Sequence, residues 1–220
     1  IMMEVKIRKP AVAGSFYAGD AKELRQDVRD CFSRCKNPLM ENVQAVIVPH
    51  AGYVFSGVTA ASAFAAINPD AKYEHIFLLG PSHHVYLGKA SVNIGASAYA
   101  TPLGKVPVDT ALCKDLMEKS DAITYAPEAH ESEHCLEVEL PFLQYHMKKM
   151  PSIVPIIIAT QELTTLKKIA DTLKPYLNEK NLFVISSDFS HYPAYKDAEI
   201  VDGLTKDSIM TGKVEAFVNA

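Results

Sequence analysis

Four short apolar runs decide what this chain can fold into. Val43-Gln44-Ala45-Val46-Ile47-Val48, Ile76-Phe77-Leu78-Leu79, Ile153-Val154-Pro155-Ile156-Ile157-Ile158-Ala159 and Leu182-Phe183-Val184-Ile185 are rich in β-branched residues and too short for buried helices. Between them lie apolar residues at helical spacing, such as Leu24, Val28, Cys31/Phe32 and Cys35, or Leu166, Ile169/Ala170, Leu173 and Leu177. Strands that are apolar throughout must be covered on both faces, and strands alternating with helices pair in parallel. The pattern therefore predicts an α/β fold, a three-layer α/β/α arrangement around a mainly parallel sheet. No linker, repeat or low-complexity segment interrupts it, so residues 1–220 read as a single domain.

Turn and cap residues punctuate these elements. Asp20 and Glu23 form a capping box for the first helix, which Asn37-Pro38 ends. Ser56 can cap a small-residue helix from Gly57 to Ile67, broken at Asn68-Pro69-Asp70. Residues 89–108 alternate only loosely and read as a hairpin or edge excursion. Asp109 can cap a helix bearing Leu112, Leu116 and Met117. Pro141 implies a kink or a late start in the helix that carries Leu136, Leu140, Leu143 and Met147, and Pro155 belongs near the start of its strand. Further helices are expected from about Asp197 to Met210 and from Val214.

Three of the four strands run into a histidine. Pro49-His50-Ala51-Gly52-Tyr53 follows the first, Gly80-Pro81-Ser82-His83-His84 the second, and Ser186-Ser187-Asp188-Phe189-Ser190-His191-Tyr192 the fourth. Parallel strands deliver these residues to one sheet edge, the carboxyl edge where open α/β sheets bind ligands. The chain has no GxGxxG or GxxxxGK[ST] nucleotide cradle and no GxSxG elbow. Ser186 or Ser187 could pair with His191 as a hydrolase nucleophile, although Asp188 stands where a tight glycine elbow belongs. Imidazoles with a carboxylate close by better suit a first-row transition metal, Fe(II), Zn(II) or Cu. Asp188 could ligate such an ion or orient His191. Glu133 and His134 are a further pair, or else part of a solvated loop before the next helix.

Composition narrows the partners. Lys and Arg total 22 against 26 Asp and Glu, a net charge of -4, which disfavours nucleic acid because phosphate neutralisation needs clustered basic residues. No apolar run approaches the roughly 18 residues of a membrane span. Residues 1–6 lack the apolar core of a leader, and the four cysteines show neither CxxC nor zinc spacing, so a cytoplasmic protein with reduced thiols is expected. A Cys31–Cys35 redox pair is the alternative for two of them.

Five motifs then carry a resemblance. Gly14-Ser15-Phe16-Tyr17, Pro49-His50-Ala51-Gly52-Tyr53, Gly80-Pro81-Ser82-His83-His84, Glu133-His134-Cys135-Leu136-Glu137 and Ser186-Ser187-Asp188-Phe189-Ser190-His191, in this order and spacing, resemble the Memo ("mediator of cell motility") family across essentially the whole chain. That family is similar in fold to class III extradiol dioxygenases of the protocatechuate 4,5-dioxygenase type, which are non-haem Fe(II) enzymes. The resemblance implies that His50 and His83 are metal ligands. It places His191 where the dioxygenases keep a general base, with Asp188 in the same pocket. Phe16, Tyr53, Phe55, Ser82, His84, His134 and Ser187 would line that pocket. The family's third ligand is a cysteine nearer the C-terminus. None of Cys31, Cys35, Cys113 or Cys135 lies in its motif, so the chain is expected to lack the family's C-terminal segment. Cys135 stands where the family usually has serine.

Two functions follow from the resemblance. One is a metal-dependent, dioxygenase-like oxidoreductase using Fe(II), with Cu or Zn as alternatives, on a small aromatic or anionic substrate. The other is a non-catalytic module that recognises phosphotyrosine-like ligands. By family association, a radical-SAM protein and an AMMECR1-type domain are expected partners.

Overall fold

All four apolar runs are strands, and they lie side by side. The computed structural model describes residues 6–218, so the leader reading at residues 1–5 lies outside the described residues. The chain divides into two compact units, Ile1–Ser187 and Asp188–Ala220. In chain order the first unit begins with β1 (Lys6–Arg8), α1 (Ala21–Ser33), β2 (Ala45–Val48), α2 (Tyr53–Ala65) and β3 (His75–Pro81). It continues with β4 (Lys89–Val92), β5 (Ala96–Thr101), β6 (Gly104–Pro107), α3 (Thr110–Lys119), β7 (Ile123–Thr124) and α4 (Glu128–Glu131). After a 3-10 turn at Glu137–Glu139 come α5 (Leu140–His146), β8 (Ser152–Ala159), α6 (Leu163–Leu173) and β9 (Asn181–Ser186).

The central sheet has the order β2-β9-β3-β8-β4-β7, and every neighbouring pair is parallel except β8 with β4. β1, β5 and β6 form a separate small sheet. Helices α1, α2 and α5 pack together, with α2 on β2, while α3 and α6 pack together, with α3 on β8 and α6 on β4. These are the three layers of the α/β/α fold. The core is apolar: Ile76, Phe77, Leu78, Ile153, Val154, Ile156, Leu182 and Val184 are fully buried, each contributing roughly 1.5–3 kcal/mol relative to exposure. Phe77 and Phe183 stack across β3 and β9 with ring centroids 4.6 Å apart.

Local chemistry explains the element ends. The Asp20 carboxylate accepts the backbone N–H groups of Lys22 and Glu23 and starts α1. Asp109 accepts from Leu112 N and starts α3. Helix α2 begins earlier than Ser56: Gly52 occupies its N-cap, and Ser56 lies inside the helix, donating its hydroxyl to the Ala51 carbonyl. Pro141 stands in the first turn of α5, where its missing N–H costs nothing, so the helix starts there instead of kinking. Residues 89–108 split between the two sheets: β4 joins the buried central sheet, and only β5–β6 is the expected hairpin. Pro155 is well inside β8, tolerated because the β4 ladder stops at Ile156 and leaves that side without a partner strand.

A buried polar network ties the N-terminal segment to residues 130–137. Arg8 donates from Nε to the His130 carbonyl at 2.9 Å, from Nη2 to the Glu133 carbonyl at 2.5 Å, and from Nη1 to the Glu137 carboxylate. Glu137 also accepts the Ala11 N–H at 2.8 Å, the Val12 N–H at 3.0 Å and the Tyr17 hydroxyl at 2.6 Å. Every oxygen of this buried carboxylate is therefore satisfied, which is what allows a charge in the interior.

The second unit contains α7 (Tyr195–Met210) and α8 (Val214–Val218), neither with a buried side chain. The segment before α7 is tied to that helix by the Ser190 N–H, which donates to Asp202 Oδ1 at 2.9 Å. No helix among the described residues is long and apolar enough to cross a membrane.

Candidate metal centre

His50 lies two residues past the end of β2 and His83 two residues past the end of β3, so rigid strands place both at the carboxyl edge of the sheet. A third imidazole, His134, arrives on the segment after α4. One ring nitrogen from each of His50, His83 and His134 lies within 4.8 Å of the others. Ring centroids are 5.2 Å apart for His50–His83, 5.5 Å for His50–His134 and 4.5 Å for His83–His134. His50 is almost fully buried at 2% exposure, whereas the His83 side chain is 35% exposed and leaves an approach from solvent.

Glu133 organises two of the three rings. Its Oε2 accepts the His83 backbone N–H at 2.7 Å, and its Oε1 lies 2.8 Å from His83 Nδ1 and 3.4 Å from His134 Nδ1. Oε1 also accepts the backbone N–H groups of His134 and Cys135 at 3.0 and 3.1 Å. Burial alone would raise this carboxyl. The hydrogen bonds from the His83 backbone and ring and from the Cys135 N–H outweigh it and bring the group down to about 2. An ionised, buried carboxylate backing an imidazole is the arrangement that fixes ring orientation and raises ligand basicity in metal sites. His50 is held differently, by Ser186 Oγ at 2.8 Å from its Nδ1.

The donor set fits a divalent transition ion. Imidazoles are borderline donors that suit Fe, Cu, Zn and Ni, and with Nδ1 of His50 and His83 each engaged, Nε2 is the nitrogen that can bind an ion. Two further groupings share these residues, His83–Glu133–Cys135 and His84–Glu133–His134. Burial raises the Cys135 thiol well above its ordinary range, and its Sγ donates to the Pro81 carbonyl at 3.2 Å, so it offers a poor thiolate ligand.

The chain matches the profile of the Memo-like protein family over residues 8–220. It belongs to the Memo-like family. A MEMO1 family protein of Methanopyrus kandleri is 35% identical over 214 residues, covering 90% of this chain and 75% of that protein. One from Nitrosopumilus maritimus is 34% identical over 220 residues, covering 96% and 78%. One from Schizosaccharomyces pombe is 38% identical over 198 residues, covering 86% and 62%.

Within this Memo-like chain, the other residues singled out by sequence fall in varied places. The Phe16 ring packs 4.7 Å from His134, and the Phe16 carbonyl accepts the Tyr53 N–H at 2.8 Å. Tyr53 itself turns into the core, where its hydroxyl donates to the Val138 carbonyl at 2.6 Å. Phe55 projects from α2 at 85% exposure. Ser82 Oγ accepts the Val85 N–H at 3.1 Å and shapes the loop that carries His83, and His84 is exposed on it. The Ser187 N–H donates to the Val48 carbonyl at 2.8 Å. Asp188 and His191 belong to the second unit, where His191 Nε2 is 3.9 Å from Asp188 Oδ2 and its Nδ1 bonds the Phe189 carbonyl at 2.9 Å.

Sequence reasoning gave Glu133 no orienting role and passed over Glu139. It considered Ser186 only as a nucleophile. The signals were the adjacency of Glu133 to His134 and the parallel pairing of β2 with β9, which sets Ser186 opposite Val48. A separate cleft of about 920 Å³ runs between β1 and residues 125–132, lined by Lys6, Lys9, Asn93 and Tyr125 among others, and none of the three imidazoles lines it.

Proposed function

We propose that this Memo-like protein binds a redox-active divalent metal, iron(II) or copper, through His50 and His83 with His134 beside them, and acts on a small electron-rich aromatic or anionic substrate. The observation that supports this reading is the convergence of three ring nitrogens within 4.8 Å from three separate segments of the fold. Convergent imidazoles with a carboxylate behind them are costly to assemble and serve metal or proton chemistry, not packing. The ionised Glu133 also offsets the charge of a bound cation. When bound, the metal would supply the electron-transfer chemistry that no side chain here provides. The chain's own residues would bind it, orient it through Glu133 and Ser186, and shield one side with the Phe16 ring. The family resemblance, not the geometry, gives His191 the role of proton acceptor.

Phosphotyrosine recognition is less well supported. A phosphate beside His83 would face the buried Glu133 carboxylate, and phosphate sites favour arginine forks over carboxylates.

The test is metal analysis of anaerobically purified protein, wild type beside His50→Ala, His83→Ala and His134→Ala. Stoichiometric iron or copper, lost in the first two variants and weakened in the third, is the expected result. Absence of metal even after incubation with Fe(II) and Cu, together with tight binding of a phosphotyrosine peptide, would overturn it.

A further inference from the structure

Ser186 ends β9, and its position is set by backbone pairing: it lies in register with Val48 of β2, and the next N–H, from Ser187, donates to the Val48 carbonyl at 2.8 Å. The side chain is 2% exposed and cannot swing towards water. Its Oγ meets three groups: His50 Nδ1 at 2.8 Å, the Cys135 carbonyl at 2.6 Å and Glu139 Oε1 at 3.0 Å.

A hydroxyl has one hydrogen to give and two lone pairs to receive with. The Cys135 carbonyl oxygen can only accept, and at 2.6 Å it is the closest of the three partners, so the Ser186 hydrogen points to it. Glu139 Oε1, in a fully buried side chain at 3.0 Å, is a second acceptor for that same hydrogen. Nothing remains for Ser186 to donate to His50. The contact at 2.8 Å is therefore a hydrogen bond only if Nδ1 carries the hydrogen and Ser186 accepts it.

We infer that Ser186 is a positioning residue that keeps the hydrogen of His50 on Nδ1 and so makes Nε2 the nitrogen presented to the site, with the Cys135 carbonyl and Glu139 holding Ser186 in that role. The consequence for metal binding rests on the proposed role of His50, whereas the location of the hydrogen does not. Both ligand rings are then set by one short segment, residues 133–139: His83 directly through Glu133, and His50 through the Ser186 hydroxyl. The same arithmetic removes Ser186 as a nucleophile activated by His50, because its hydrogen is committed away from that imidazole.

Long-range 1H–15N correlation spectra of the 15N-histidine-labelled, metal-free protein at about pH 8, above the ordinary histidine range, read the two ring nitrogens of His50 directly. A protonated Nδ1 is expected, and an Nδ1 without hydrogen overturns the inference whether or not any variant folds. In Ser186→Ala the His50 hydrogen should move in part to Nε2 and affinity for Fe(II) or Zn(II) should fall about 10–100-fold, with Ser186→Thr restoring both. An unchanged tautomer in Ser186→Ala also overturns it. Because the spectra are taken without metal, they stand apart from the metal analysis: a protein that bound no ion would sink the proposed function and leave this reading to its own result.

Discussion

Glu133 grips His83 at two points, accepting its backbone N–H at 2.7 Å through one oxygen and facing its ring Nδ1 at 2.8 Å through the other. The strand end and the imidazole are thus fixed by a single carboxylate. Glu133→Gln keeps the size but removes the charge and sets an amide NH2 against donors. Metal affinity, read by chelator competition, should fall about 10–100-fold. Glu133→Ala should in addition lower stability, because three backbone N–H groups, of His83, His134 and Cys135, lose their acceptor at about 1–3 kcal/mol each. Equal affinity in wild type and Glu133→Gln would refute the orienting role.

Gly80 of β3 lies against the segment that carries Glu133. A Cβ there would stand 2.5 Å from Cys135 Sγ and 3.0 Å from Leu136 Cδ2. Gly80→Ala should therefore cost about 1–3 kcal/mol in urea denaturation. Removing the sulfur with Cys135→Ala should recover part of that, so the double variant is less destabilised than the sum of the singles. Strict additivity would show that the clash is relieved elsewhere.

His130 is buried between Ser91 Oγ at 3.0 Å and the Tyr99 hydroxyl at 3.1 Å. Burial, helped by the Arg8 cation, holds it down at about 3, against 6.5 in the unfolded chain. Between those values the unfolded chain takes up a proton that the folded protein refuses. This contribution is complete above pH 6.5 and is lost at about 1.4 kcal/mol per pH unit as the pH falls towards 3. His130→Gln should be less stable at neutral pH but should show a shallower decline over that window. Parallel curves for the two proteins would rule the histidine out as the source.

Arg8 and Glu137 form a buried ion pair, and Arg8→Met should cost about 3–5 kcal/mol by leaving the Glu137 charge without its cation. Many buried pairs can be replaced by apolar residues with little loss. This one differs, because Glu137 also accepts from Ala11 N, Val12 N and the Tyr17 hydroxyl. Arg8→Met with Glu137→Leu should remain destabilised in thermal melts, and recovery to wild-type stability would contradict that accounting.

The central sheet was legible because its strands are apolar on both faces: each of the four runs read from sequence became β2, β3, β8 or β9. β4 was missed because Lys89-Ala90-Ser91-Val92 is short and carries a polar Ser91, which proves to be buried and bonded to His130. The start of α2 was misplaced because Ser56 looks like a cap, while the real cap, Gly52, makes no side-chain bond for sequence to advertise. At the site, the histidines were visible as strand-end residues. The roles of Glu133, Ser186 and Glu139 depend on which segments meet in space, and that follows from strand order, with β9 inserted between β2 and β3.

That insertion has a consequence for biogenesis. β9 comes last in the chain among the strands described, yet it is the common neighbour of the two strands that carry His50 and His83. Until it arrives, those imidazoles hang from segments with no fixed spacing, and closing such sequence-distant pairings is slow. A nascent chain therefore holds no preformed pair of these imidazoles, and any ion taken up at the proposed site would load after folding instead of nucleating it. That would be the opposite order from a zinc finger, whose metal organises the chain, and the free-metal pool met by the folded protein, not the unfolded polypeptide, would then select the ion at the proposed site.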